Sequence, residues 1–397
     1  MEEHVYDYLI VGAGMTADAA AKAIRKADAE ASIGIVGEEK HAPYERPPLT
    51  KALWKGDKPL DSIDLGTARS GAVLHLQRRI DELDRDDRSA RDSRGDRYRY
   101  RRLLLATGAT PRKLAFAGER VINYRNLDDY LALRRYAVPG AKIAVVGGGF
   151  IGSEIAASLC TLGCEVTMLF PGTSLGAGRF PAPLASFVDG YYRERGVKLM
   201  SGVKVVDGSA DMDKVEVTLS DGTSMRVDAV VAGLGVTPNT QLAERSGLRV
   251  DNGIIVDEHL RSSDPDIFAA GDVANFHNAI LDVRQRVEHE NAAVTMGQHA
   301  GLAMTGAADT YTTFPYFYSD LFDLGYEAVG MLDDRFDVVE NWTVPYKEGV
   351  VYYLDAGRVR GVLLWNVWGQ VDAARDLIAE RGPHDAESVR GRLPRMA

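Results

Sequence analysis

Two glycine-rich stretches hold the residues whose types and spacing could do chemistry. In "VVGGGFIGSE", residues 145–154, Gly147, Gly149 and Gly152 form a full G-x-G-x-x-G pattern, with Phe150 and Ile151 inside it and Glu154 closing it. In "LIVGAGMTA", residues 9–17, Gly12 and Gly14 are followed by Ala17 in place of the third glycine. The first glycine permits a tight turn, the second lets backbone approach a pyrophosphate, and the third lets helix and strand pack closely. The phosphate then meets free N–H groups at the helix start. An acid at the end of the next strand would take the ribose hydroxyls, and Glu38 stands there after the first turn. After the second turn the strand runs into "FPGTS", and Gly172 occupies the place of the acid. No carboxylate there repels a 2′-phosphate. Arg179, within loop reach, either attracts one or is a solvated loop residue, so NADH and NADPH both stay open. Taken alone, Glu154 has a simple reading as an acid near a helix N-terminus, where it favours the helix dipole.

These turns need strands and helices to position them. "YDYLIVGAGMTADAAAKAIRKA" followed by "ASIGIVGEE" reads as a buried strand, a turn, an alanine-rich helix and a second strand. The order recurs in "AKIAVVGGGFIGSEIAASLCTLGCEVTMLF", where Ile151, Ile155, Leu159 and Leu162 mark one helix face. Between and after these units lie hairpin-like segments. Beyond residue 313, aromatic-rich strands and a closing helix suggest a further domain, and residues 383–397 read as a loosely held tail. Two nucleotide sites in one chain suggest a flavin and a nicotinamide brought face to face, because side chains alone cannot store two electrons.

The chain has 397 residues, 45% hydrophobic and 26% charged, with a net charge of -10. That balance fits a soluble multidomain protein and argues against a nucleic-acid binder, which needs a positive field. The arginine-dense stretch 78–102 interleaves acids and reads as a solvated hairpin turning near Gly95. Residues 1–7 resemble no signal peptide, and no apolar run approaches the ~18 residues of a spanning helix. Two cysteines, Cys160 and Cys164, fit a reducing compartment, so a cytoplasmic protein is expected, with the pair as core filler rather than a redox couple. No metal site is expected.

Further motifs resemble the two-dinucleotide flavoproteins of the pyridine nucleotide-disulfide oxidoreductase superfamily, most closely apoptosis-inducing factor and the ferredoxin reductases. "LLLATGATPR", with Thr107 and Gly108, is similar to the segment that leaves the FAD domain. "SSDPDIFAAGDVA" resembles the second FAD motif, with Ser262 for its threonine and Gly271 and Asp272 at the flavin's ribityl and phosphate region. "GLGVTPN", with Gly235, resembles the close of the NAD domain. "PYERPPLTKALW", with Arg46, Thr50 and Lys51, is similar to an element of the ferredoxin reductases and apoptosis-inducing factor. "RVEHENAAVTMGQHAGLAMTGAA" and "YSDLFDLGYEAVG" are further long matches to the latter.

The resemblance implies an α/β fold with two Rossmann-like, glutathione-reductase-like domains and a C-terminal α+β domain. The expected boundaries are 1–120 with 252–313 for FAD, 121–251 for NAD(P)H and 314–397 for the last domain. It implies FAD with NADH or NADPH as cofactors, and an ion pair of Lys51 with Glu154 beside the flavin's reactive nitrogen. It also places Glu288 and His289 at a helix start facing the flavin's pyrimidine edge, Tyr318 over the ring where the family has tryptophan, and Arg125 nearby. Hydride would pass from nicotinamide to FAD and electrons on to an acceptor, with Lys51, Glu154 and His289 as catalytic candidates. The disulfide reductases' cysteine pair is missing, since no cysteine precedes position 160. A ferredoxin reductase serving a [2Fe–2S] partner and a redox-responsive dimer with little turnover are the alternatives, and the chain is expected to be a monomer or homodimer.

Overall fold

Val11 and Val36 end two fully apolar runs that pair in parallel, Tyr8 opposite Ile33 through Val11 opposite Val36. Such two-sided burial is what a strand covered by helices on both faces requires. The computed structural model describes residues 1–394, and the chain divides into two compact units.

The first unit comprises Met1–Arg46, Leu60–Thr110 and Thr237–Pro315. Its main sheet runs in the order Val73–Leu76, Ile33–Gly37, Glu3–Val11 and Arg97–Leu105. Ser89–Asp92 and Ile80–Asp84 extend it antiparallel, and Ile267–Ala269 pairs with the far half of Arg97–Leu105. The helix Met15–Ala27 returns between the first two strands and packs on the helix Glu290–Thr305, where Gly297 and Gly301 face its alanines. The arginine-dense stretch forms the expected hairpin turn at Gly95 between paired strands. Its charges are mutually paired, with Arg78 on Asp92 and Asp96 at 2.9 and 2.7 Å.

The second unit comprises Pro47–Pro59, Pro111–Val236 and Tyr316–Ala397. A parallel sheet orders Lys198–Ser201, Glu165–Phe170, Lys142–Val146, Ala229–Ala232 and Val121–Asn123, and an antiparallel three-stranded sheet, Val205–Ala210 to Val227, adjoins its core. A second five-stranded sheet is antiparallel, in the order Tyr316–Leu321, Leu324–Gly330, Arg358–Trp365, Glu348–Asp355 and Asp337–Val344. The helix Val371–Ala379 closes it through Ala374, Leu377 and Ile378.

The helix Phe150–Thr161 is buried on nearly every side from Gly152 to Leu159. Its amphipathic face, expected from Ile151, Ile155, Leu159 and Leu162, is therefore only part of its contact, because small residues let a second layer approach the other side. Residues 383–394 differ from the loose tail expected of them. Asp385 caps a short helix, Val389 and Leu393 are fully buried, and the Leu393 N–H donates to the Tyr352 hydroxyl at 3.1 Å. The rest of that tail, residues 395–397, lies outside the described residues.

Candidate functional site

Both glycine turns have the shape a pyrophosphate needs. Gly12 and Gly147 hold φ at +111° and +117°, and a Cβ on either would stand 2.1 or 2.3 Å from the carbonyl oxygen of Ala106 or Gly233. No side chain fits there, so strand, turn and neighbouring strand close up behind the helix start. Gly14 and Gly149 are the N-cap residues of their helices and offer no capping side chain, and the space before each is open. Helix N-termini normally satisfy such N–H groups with a Ser, Thr, Asp or Asn oxygen. Leaving two long helices uncapped at glycine suits an anionic ligand that supplies the oxygen.

Around the first turn, Ala17 is fully buried and Asp272 nearly so, in the turn Gly271–Val273. Arg286 donates to the Asp272 carbonyl at 3.0 Å and pairs with Glu288 at 2.6 Å, and His289 is the N-cap residue of Glu290–Thr305. Glu38 is exposed at the strand end, 3.8 Å from Arg79. Arg46 pairs with Glu39 and lies over the Tyr44 ring. Thr107 and Gly108 are tied to Asn239, which exchanges two hydrogen bonds with Thr107 at 2.7 and 2.8 Å. Sequence reasoning did not single out Asn239, although it ends the quoted "GLGVTPN".

Around the second turn, Phe150 packs edge-on against Phe317, and the Arg179 guanidinium stacks 4.6 Å above the Phe150 ring. Gly149, Phe150, Arg179, Ser319 and Tyr326 line one narrow pocket. Ile151 is half-buried beside it, and Gly235 accepts from the Arg112 N–H. Gly172 has room for a side chain, its nearest neighbour being the Ser174 carbonyl at 3.6 Å. Asp189, on the helix Ala182–Glu194, is buried beneath this loop and accepts from the Leu175 N–H at 2.9 Å, while Asp334 accepts from the Gly178 N–H at 3.1 Å. Burial raises the pKa of Asp189.

The structure brings Lys51 and Glu154 together, Nζ to Oε2 at 2.6 Å, with only 13% and 5% of their side chains exposed. Glu154 lies a full turn inside its helix, and its oxygens point at partners from other segments. The Thr50 hydroxyl donates to Oε2 and the Ser319 hydroxyl to Oε1, each at 2.6 Å. The helix-dipole reading of Glu154 therefore does not describe what the side chain does. The Tyr318 ring covers Lys51, Nζ to centroid 5.1 Å. Burial, then the Glu154 charge, pushes the Tyr326 phenol far above its usual range. Arg125 enters the helix Leu127–Arg134, whose capping box also takes its N–H through Asp129 at 2.9 Å. Thr50 was visible only as a motif position, and Ser319 was missed. Its signal is a serine on the inward face of a strand, between Phe317 and Leu321.

The cysteines are both free. Cys160 and Cys164 donate to the carbonyls of Arg195 and Val138, and burial pushes both thiols up, Cys164 to about 11.

The pyridine nucleotide-disulphide oxidoreductase profile matches residues 6–297. The chain belongs to this family. The C-terminal profile of the mitochondrion-associated apoptosis-inducing factor matches residues 340–380. The ferredoxin–NAD(+) reductase component of the anthranilate 1,2-dioxygenase system of Burkholderia cepacia is 33% identical, over 96% of each chain. Mitochondrial apoptosis-inducing factor 1 of Dictyostelium discoideum is 31% identical over 95% of this chain and 79% of that one. The crystal structure of the covalent putidaredoxin reductase–putidaredoxin complex superposes with a TM-score of 0.90 at 31% identity, covering 95% of this chain and 94% of that one. The protein is an FAD- and NAD(P)H-dependent oxidoreductase that passes electrons on to an acceptor. Among the described residues, no helix is long and apolar enough to cross a membrane.

Proposed function

We propose that the acceptor is a ferredoxin-type [2Fe–2S] protein and that Lys51 and Glu154 serve the reacting edge of the flavin. The similarity over 96% of the chain to a ferredoxin–NAD(+) reductase component carries the first part of this reading. The ion pair itself carries the second, since a buried ammonium and carboxylate persist only when paired. Bound flavin supplies the chemistry of accepting hydride and releasing electrons singly.

The chain's own part is positioning. Gly12, Gly14 and Ala17, with Glu38, Arg46, Thr107, Gly108, Gly271 and Asp272, would hold FAD. Gly147, Gly149, Phe150, Ile151 and Gly152, with Gly172 and Gly235, would hold the nicotinamide dinucleotide. Lys51 would present its Nζ to the flavin edge from a site where little of its side chain is exposed, and Glu154 fixes where that Nζ points. Glu288, His289, Arg125 and Tyr318 complete the proposed flavin surroundings. The absent acid at Gly172 leaves NADPH admissible beside NADH. Two free cysteines suit a reducing compartment, so the cytoplasm is the proposed location.

The test is anaerobic reduction with NADH, then NADPH, followed by [2Fe–2S] ferredoxins, oxygen and a quinone as acceptors. Ferredoxin turnover well above the other two is expected. Turnover no faster than with oxygen or quinone would overturn the acceptor assignment.

A further inference from the structure

We propose that Thr50 and Ser319 are positioning residues that lock Glu154 in the one orientation in which it can fix Lys51. The proposal rests on the reading of the Lys51–Glu154 pair given above.

A glutamate carboxylate turns easily about its last torsion, and its two oxygens offer about four acceptor sites. Lys51 alone would occupy one of them and leave the group free to rotate. Here Oε2 also accepts from Thr50 and Oε1 accepts from Ser319, both at 2.6 Å, so neither oxygen can swing away without losing a donor. Thr50 has a second acceptor within reach, the Pro47 carbonyl at 3.2 Å. Its single proton goes to the shorter, charge-assisted bond. Ser319 is wholly buried, opposite Tyr326 on the paired strand, and the Tyr326 phenol is within hydrogen-bond reach of its hydroxyl.

The donors come from two adjacent pairs. Thr50 precedes Lys51, and Ser319 follows Tyr318, whose ring covers Lys51. In each pair one residue grips Glu154, while its neighbour either carries the ammonium, as Lys51 does, or covers it, as Tyr318 does. A third bond sets the register between these segments: Ser158, one turn beyond Glu154 on the same helix, donates to the Thr50 carbonyl at 2.9 Å. Both oxygens of the buried carboxylate are thus held by donors from segments far apart in the chain.

The test compares Ser319→Ala, Thr50→Val and Thr50→Ser in the full-length holoenzyme, alone and combined with Glu154→Gln. Thr50→Val keeps the shape and removes the hydroxyl, so it covers the case in which Ser319→Ala fails to fold. The limiting rate of flavin reduction by NAD(P)H should fall about tenfold in Ser319→Ala and Thr50→Val, the size expected for one lost bond to a charged group. The nicotinamide concentration at half-saturation should stay unchanged, and Thr50→Ser should behave as wild type. In the Glu154→Gln background neither change should slow reduction further, and the melting temperatures should show the same non-additivity, independently of turnover.

Wild-type rates in Ser319→Ala and Thr50→Val, with Glu154→Gln slow, would overturn the positioning role while leaving the pair intact. The same slowing persisting in the Glu154→Gln background would also overturn it. A Glu154→Gln enzyme at the wild-type rate would instead remove the role of the pair, and this proposal with it.

Discussion

Replacing Lys51 with methionine removes the ammonium but keeps an unbranched apolar chain of similar length beneath the Tyr318 ring. Glu154 would then be left 5% exposed without its counter-ion. Breaking such a pair costs roughly 3–5 kcal/mol, because the remaining charge is stranded rather than because the pair itself is strong. Thr50 and Ser319 still donate to both oxygens. Bonds to a charged acceptor are worth about 1.5–3 kcal/mol each, so the lower end, about 3 kcal/mol, is the expected loss. For a body of some 150–250 residues, at about 2–4 °C per kcal/mol, the melting temperature should fall by roughly 6–12 °C. Lys51→Met with Glu154→Gln strands no charge and should recover more than half of that loss. In stopped flow, Lys51→Met should also slow flavin reduction by NAD(P)H far more than reoxidation. A single variant that melts with the wild type, or that is reduced at the wild-type rate, would refute the reasoning.

Three further outcomes are expected. Gly172→Glu fills open space at the strand end and should lower the affinity for NADPH relative to NADH by at least about tenfold, read from paired KM values, since like charges are brought together. Gly147→Ala drives a Cβ to within 2.3 Å of the Gly233 carbonyl and should abolish nicotinamide binding in a fluorescence titration while FAD stays bound. Alkylation of Cys164 in the native protein should be very slow at neutral pH and should quicken as pH approaches about 11, because burial holds the thiol protonated; rapid labelling at neutral pH, followed by mass spectrometry, would contradict this.

The glycine turns were legible because their requirement is local. A positive φ and a close carbonyl at Gly12 and Gly147 restrict the residue type wherever the turn occurs. Gly14 and Gly149 leave their helix starts uncapped, which a one-dimensional pattern also records. The hairpin at Gly95 was readable for the same reason. The packing of residues 383–394 was not, since nothing in "AESVRGRLP" signals that Val389 and Leu393 are fully buried.

Glu154 shows the boundary most clearly. Its place after Gly152 could be read from the chain, and resemblance to a known family supplied Lys51 as its partner. Which atoms surround the carboxylate was decided by the tertiary structure. Thr50 and Ser319 lie 104 and 165 residues away in sequence, and their hydroxyls meet it only because a helix, a short turn and a strand from separate segments pack together. Backbone turns depend on a few consecutive residues, so the sequence alone determines them. A buried charge depends on every donor within a few ångströms of it, and only the folded chain determines what those donors are.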